Sequence, residues 1–273
     1  MVDHVLDPID GSDEAFTALA YSFVTFPDAT HITLHVINPT KKRYEGPGYD
    51  EGWLSNAKDE AVEIHDTARE MAERRGITLE ETATRRGRPA EEILKFVGEN
   101  DVDQISVGSK GRSSLDTVFV GSVAKTVTRR SPTTVTVVRS VDDDDPTQPE
   151  QVLVAVDGSE RAYEALEFAL QEFSTATITA LYVIDPSEVF GTTADADSTL
   201  ETVRQRADTL GSTIQTESER GDPARTIAEY AVDGGFNHLV VGRSGRSGWP
   251  RLLLGSVAES LVLRAPVPVT VVS

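Results

Sequence analysis

Two periods alternate along the chain. Short aliphatic and β-branched runs stand at 3–9, 31–37, 102–107 and 133–138, with a run of mixed polarity at 77–84. Runs of that length, bounded by turn residues, predict strands. Between them the apolar spacing widens to three or four. Ala15, Ala18, Leu19 and Phe23 predict a helix over 13–26, with Ser12 as its N-cap. A second helix is predicted over 58–75, closed by Gly76 at C′. Pro89 opens a third, reaching Glu99 with Ile93, Phe96 and Val97 turned inward. A fourth covers 121–130.

The pattern is written twice. Residues 5–12 (VLDPIDGS) match 152–159 (VLVAVDGS), and 87–90 (GRPA) match 221–224 (GDPA). Residues 32–39 match 178–186 with one residue of slack at the start, and 134–138 match 268–272. The expected organisation is one domain repeated, at 1–140 and 150–273, across a linker at 141–149. The run Asp142 to Asp145, followed by Pro146 and Pro149, suits an exposed linker.

Five strands alternating with helices in each copy predict an α/β fold. It is read as two tandem Rossmann-like domains, each a doubly wound, five-stranded parallel sheet in an alpha-beta-alpha sandwich. Ligands of such sheets sit beyond the carboxyl ends of the strands, where strand order reverses. Asp10, Val36 and Gly108 fall at that edge in copy one, and Asp157, Val183 and Gly242 in copy two. The last strand of each copy is β-branched and ends a sheet, which leaves an open ladder. The two copies can pair there within the chain.

The central motif is a glycine pattern that both copies keep: Gly-x-x-Gly, nine residues, then Gly-Ser. In copy one it is Gly108, Gly111, Gly121 and Ser122; in copy two it is Gly242, Gly245, Gly255 and Ser256. Each lies between a predicted strand and a predicted helix. A loop there exposes N–H groups beside the positive end of a helix, an arrangement that suits phosphate. Glycine permits backbone angles and approaches that a Cβ forbids. The serine is expected to serve as N-cap or to donate to a phosphate oxygen. A mobile surface turn is the competing reading, weakened by the loop's recurrence at the same place.

Net charge is −19, and arginine outnumbers lysine, which occurs only at 41, 42, 58, 95, 110 and 125. A surface this acidic disfavours nucleic acid and anionic lipid as partners. It also matches proteins of salt-loaded cytoplasm, where ions screen self-repulsion, with an ordinary acidic protein as the alternative. The absence of cysteine excludes disulfides and thiolate metal sites and is compatible with a reducing cytoplasm. No apolar run approaches the ~18 residues of a membrane helix, and the first residues carry no secretory pattern. A cytoplasmic location is expected.

Together the paired glycine loops, the paired Asp-Gly-Ser, the His-Val-Ile and Tyr-Val-Ile runs and the paired Gly-x-Pro resemble the universal stress protein family in its tandem, ATP-binding form. The resemblance covers nearly the whole chain. It implies a stress-response or regulatory protein that binds ATP, ADP or AMP without obvious catalysis. Asp10 and Asp157 would meet the ribose or adenine side, and Val36 and Val183 would offer backbone groups to the adenine edge. Gly108, Gly111, Arg112, Gly121, Ser122 and Val123 would surround the phosphates in copy one. Gly242, Gly245, Arg246, Gly255, Ser256 and Val257 would do so in copy two. Mg²⁺ or Mn²⁺ would bridge phosphates, although no dedicated carboxylate cage is visible. The resemblance also implies pairing at the last strand, within the chain as a pseudo-dimer, with a homodimer of chains as the further option.

Each residue has a plainer role to set beside this. Asp-Gly-Ser before a helix is ordinary turn chemistry. Lys110, Arg112, Arg243, Arg246 and Arg251 are either phosphate cations or solvated charge. Copy one departs from copy two at Asp7 (for Val154), at Arg88 (for Asp222) and at the polar Gln104 and Ser106. These departures make copy two the more regular site. Residues 40–57, with Tyr44, Tyr49 and Trp53, are expected to form a loop that closes as a lid or stays mobile. There is no Gly-x4-Gly-Lys, no Gly-x-Gly-x-x-Gly after either first strand, and no paired histidines at metal spacing. A slow ATPase or nucleotidyl transferase, and a scaffold with vestigial sites, are the alternative functions.

Overall fold

The computed structural model describes residues 1–39, 51–110, 120–139, 146–187, 192–244 and 254–273. Its first half comprises β1 (His4–Pro8), α1 (Asp13–Thr25), β2 (Thr30–Ile37), α2 (Glu51–Arg75), β3 (Leu79–Arg86), α3 (Pro89–Glu99), β4 (Gln104–Gly108), α4 (Ser122–Arg130) and β5 (Thr134–Val138). The second repeats the order: β6 (Gln151–Val156), α5 (Glu160–Glu172), β7 (Thr177–Ile184), α6 (Thr193–Thr209), β8 (Gln215–Arg220), α7 (Pro223–Asp233), β9 (His238–Gly242), α8 (Ser256–Arg264) and β10 (Val269–Val272).

Local chemistry fixes these boundaries. Ser12 Oγ accepts from Ala15 N at 3.3 Å, and Ser159 Oγ from Ala162 N at 3.2 Å, capping α1 and α5. Pro89 and Pro223 open α3 and α7, where a missing N–H costs nothing. Gly76 ends α2 at φ 67°, as expected of a C′ residue. That helix starts at Glu51 rather than at 58, so residues 51–57 are not loop. The buried stripe Ala61, Ile64, Ala68, Ala72 extends backward through Ala57 and Leu54 at helical spacing. Trp53 therefore sits on a helix, while Tyr44 and Tyr49 lie outside the described residues.

All strands join one ten-stranded sheet, ordered β3-β2-β1-β4-β5-β10-β9-β6-β7-β8. Pairing is parallel within each half and antiparallel between β5 and β10, with Thr136 opposite Thr270. The ladder left open by each last strand is thus filled by the other half. Central strands are apolar and buried, as in β6, whereas the outer β3 and β8 are largely exposed. One core runs under α3, α4, α7 and α8 through both halves, from Leu6 and Leu34 to Leu261 and Val271. Separate cores under α1–α2 and α5–α6 fill the opposite face.

The strand register removes the slack in the repeat. Val5 pairs with His31, and its counterpart Val152 pairs with Ile178. His31 therefore corresponds to Ile178, Thr33 to Ala180, and Asp7 to Val154. The apolar trio of copy two has become polar in copy one, and each of the three side chains has a polar partner, although Asp7 Oδ1 has none among the described residues. Asp7 Oδ2 lies 2.8 Å from His31 Nδ1, both buried. His65 on α2 sits between Thr33 Oγ1 and Thr84 Oγ1, 3.1 Å from each. Pro146 and Pro149 are also buried, so the expected linker is not exposed throughout. Its residues 141–145 lie outside the described set.

A candidate nucleotide site at the carboxyl edge of the sheet

At the carboxyl ends of β6, β7 and β9, a cavity of about 670 Å³ opens toward α7 and α8. That volume falls within the range of small-molecule sites. Its wall brings together six of the residues expected from sequence: Asp157, Val183, Gly242, Gly255, Ser256 and Val257. They arrive from three separate segments of the chain. A larger open groove, about 1010 Å³, lies elsewhere against α1 and α2 and carries none of them. Gly245, Arg246 and Arg251 lie outside the described residues, as do Gly111 and Arg112 in copy one.

Asp157 forms the turn expected of it and also lines the cavity. Its Oδ1 accepts from Ser159 N at 3.0 Å and from Ser159 Oγ at 2.6 Å, forming the turn into α5. Among the described residues no hydrogen bond engages Oδ2. Asp10 makes the same turn with Ser12, at 3.1 and 2.5 Å.

Gly242 must be glycine for a structural reason. A Cβ there would stand 2.5 Å from the carbonyl oxygen of Arg161, at the start of α5. Gly108 is held the same way, 2.7 Å from Glu14 O. Close approach of a helix backbone, rather than an unusual φ, sets this requirement.

The expected serine cap is corrected. Gly255 occupies the N-cap place of α8 (φ −67°, ψ 155°) and Gly121 that of α4 (φ −60°, ψ 152°), while Ser256 and Ser122 begin the helices. A glycine cap has no side-chain oxygen to offer, so no side chain caps the first-turn amides. The neighbouring α7 differs, since Asp222 Oδ1 accepts from Arg225 N at 2.9 Å. The α8 end that lines the cavity is therefore the one whose donors remain for an anion.

Arg243 is corrected as well. Its backbone lines the cavity, but its guanidinium points away, into the first half. Nη1 donates to Thr128 O at 3.0 Å, and Nη2 donates to Ser273 Oγ at 2.7 Å. Burial pushes its pKa down from the usual arginine value, and Arg161 adds to that shift. The reading of Arg243 as a phosphate cation fails on this geometry.

Sequence reasoning missed Arg264 and Ser260, which share the cavity wall with Ser256. Their spacing of four places all three on one helical face. Asp185 and Asp222 complete the rim. Among the described residues, no group of three His, Asp or Glu side chains is arranged to hold a metal ion. No helix among them is long and apolar enough to cross a membrane.

Copy one keeps the same framework. Pro8 pairs with Leu34 as Ala155 pairs with Leu181. Gly87 N donates to Ile37 O at 3.1 Å, as Gly221 N donates to Ile184 O at 3.1 Å. Gly121 N donates to Ser109 O at 2.6 Å, and Gly255 N to Arg243 O at 2.7 Å. This register puts Asp10, Val36, Gly108, Gly121, Ser122 and Val123 at the places of the six cavity residues of copy two.

Known proteins give the same picture. The model of the universal stress protein family matches residues 1–139 and 149–273. A universal stress protein of Mycobacterium tuberculosis is 27% identical over 96% of this chain and 94% of its own. One from Methanocaldococcus jannaschii is 33% identical over 45% of this chain and 81% of its own. The crystal structure of a universal stress protein from Archaeoglobus fulgidus superposes with a TM-score of 0.78 at 25% identity, covering 99% of this chain and 98% of that one. The chain belongs to the universal stress protein family.

Proposed function

We propose that the chain binds an adenine nucleotide at the carboxyl edge of each half and acts as a regulatory or stress-response protein without turnover of its own. The observation that carries this is the α8 N-terminus. Its amides lack a side-chain cap and open into a 670 Å³ cavity that Asp157 and Val183 also line. A phosphate at the helix end gains backbone donors and the helix dipole. The Asp157 carboxylate can accept from ribose hydroxyls, and the β7 end offers backbone groups to a base edge. Apolar wall residues such as Leu181, Ile227 and Leu254 suit a planar ring. A divalent cation, where bound, would draw its ligands from the phosphates rather than from a protein cage. Turnover would need a positioned general base, whereas Asp157, Asp185 and Asp222 are each oriented through Oδ1 by a turn or a cap.

The test is direct. The protein is purified in high salt and denatured, and released nucleotide is identified by mass; the emptied protein is then titrated with ATP, ADP and AMP. Nucleotide that is released or rebound, lost with Gly255→Ala plus Ser256→Ala, supports the reading. Absence of binding at saturating concentrations refutes it. A steady-state assay that finds turnover lost with the same pair would replace it with an ATPase.

A further inference from the structure

The two sites share a framework but not a charge. Copy two's cavity wall carries three carboxylates, Asp157, Asp185 and Asp222, and two arginines. One of those, Arg243, spends its guanidinium on Thr128 O and Ser273 Oγ. Among the described residues, Arg264 is then the one arginine left to face the acidic rim. The strand register gives the matching positions in copy one as Asp10, Asn38, Arg88, Ser109, Lys110 and Arg130. One carboxylate there stands against three cations.

The reversal is concentrated at the rim. Asp222 N-caps α7, and Arg88 takes its place at α3 with no side-chain cap bond. Asp185 becomes Asn38, and Ser244 becomes Lys110, at the entrance to the glycine loop. Arg88 does pair with Glu91 at 3.1 Å, but both are exposed, so the pair is weak and the guanidinium can be recruited. Glu91 and Glu92 hold the places of Arg225 and Thr226, which do not line the cavity.

We propose that the halves are specialised by charge: copy one takes the polyanionic nucleoside triphosphate, and copy two takes a ligand of low charge, a nucleoside or its monophosphate. This rests on the nucleotide reading given above. Each carboxylate at the mouth of copy two repels the outer phosphates, whereas Arg88 and Lys110 attract them. Arg264 and the α8 amides still serve one phosphate group. The effect acts at an exposed rim, so added salt narrows it.

The experiment isolates each site by filling the other. Ala224→Trp blocks copy two at a half-buried cavity-wall position, and Ala90→Trp blocks copy one at the matching half-buried position, which borders the core; an unchanged melting temperature confirms that each variant folds. Adenosine, AMP and ATP are titrated calorimetrically against both variants and the parent at two salt concentrations. The Ala90→Trp protein is expected to bind AMP about tenfold more tightly than ATP, and the Ala224→Trp protein to reverse that order. Adding Asp222→Arg to the former, or Arg88→Asp to the latter, is expected to erase the preference. Equal ranking of ATP and AMP at both sites overturns the specialisation while leaving nucleotide binding intact. No binding by the parent overturns the nucleotide reading itself, and this inference with it.

Discussion

Arg139 and Arg243 grip the same pair of carbonyl positions in opposite halves of the molecule. Arg243 reaches Thr128 O at 3.0 Å and Arg129 O at 3.4 Å, the last turn of α4. Arg139 reaches Val262 O at 3.2 Å and also Leu263 O, the matching turn of α8. The arginines themselves are not equivalent in the repeat. Ser273 follows β10 where Arg139 follows β5, and Ser109 follows β4 where Arg243 follows β9. Two different positions have converged on one task, satisfying orphan carbonyls at a helix C-terminus across the seam. Lys125 and Glu259, which are equivalent, meet across the same seam at 3.5 Å, so a like-charge clash is avoided.

Removing the Arg243 grip should loosen the halves. Arg243→Met keeps the apolar stem and removes charge-assisted bonds to Thr128 O and Ser273 Oγ, each kind worth about 1.5–3 kcal/mol. The net loss is expected near 2 kcal/mol, because the buried charge also carries a desolvation cost. Arg243→Lys should recover less than half of it, since one ammonium cannot serve acceptors that lie apart. Urea denaturation with a common slope measures this, and a Met variant as stable as the parent would refute it.

A buried polar chain crosses the seam behind the arginines. Tyr21 Oη lies 2.6 Å from His238 Nδ1, His238 Nε2 lies 2.9 Å from Thr270 Oγ1, and Thr270 Oγ1 lies 2.6 Å from Thr136 Oγ1. Gln104 Nε2 then donates to Thr136 Oγ1 at 2.7 Å. Tyr21→Phe is expected to cost about 1–2 kcal/mol and Thr270→Val a similar amount, each stranding a buried partner. The two changes should combine with a coupling of about 0.5 kcal/mol or more, because both act on His238. Strict additivity in a double-mutant cycle would show that the chain does not act as a unit.

That chain explains part of what was hidden in the sequence. Gln104 and Ser106 read as departures in a strand, because the pattern shows polarity and not the partners, Thr136 Oγ1 and Ala18 O, that other elements bring to them. The alternation of strands and helices, the repeat, the cap at Ser12 and the meeting of Asp157, Val183 and Gly255 were legible, since period, turn chemistry and strand-edge geometry are local rules. Ser256 was misread as a cap because Gly-Ser fits that signature one residue out of register, and only the dihedral angles of Gly255 decide it. Arg243 was misread because its position beside the loop says nothing of where a long side chain ends. Arg264 was missed although Ser256, Ser260 and Arg264 repeat at four, a face that periodicity could have supplied.

Acid should unfold the protein earlier than carboxylate titration alone requires. Burial pushes the His65 imidazole down from 6.5 to about 4, with His35 and Arg69 acting in the same direction. Burial likewise pushes His238 down to about 3. In the unfolded chain both take protons near pH 6.5. Protons therefore favour the unfolded state below that value, and stability rises with pH between about 4 and 6.5. His65→Gln retains hydrogen-bonding groups for Thr33 and Thr84 and should flatten the slope between pH 6.5 and 5, where most carboxylates remain ionised. Melting temperatures measured across that window decide it, and an unchanged slope in the variant would assign the acid sensitivity elsewhere.

Salt supplies the last prediction, and its sign follows from the net charge of −19. Like charges on a compact surface repel, and unfolding spreads them apart. Raising ionic strength from ~0.1 M to ~1 M shortens the screening length from about 10 Å to about 3 Å, so the folded state gains. Potassium chloride should raise the melting temperature most steeply below ~0.5 M, where screening changes fastest. Sucrose at matched osmolality lacks that early rise, because exclusion from the surface stabilises without screening. The Lys125–Glu259 attraction opposes the trend, but it is one partly exposed pair against a large excess of carboxylates. Replacing clustered aspartates with asparagine should mimic salt and reduce the response to it. A melting temperature that is flat in chloride would mean that the acidic surface is already neutralised by ion pairs, and the salt-adapted reading would fall.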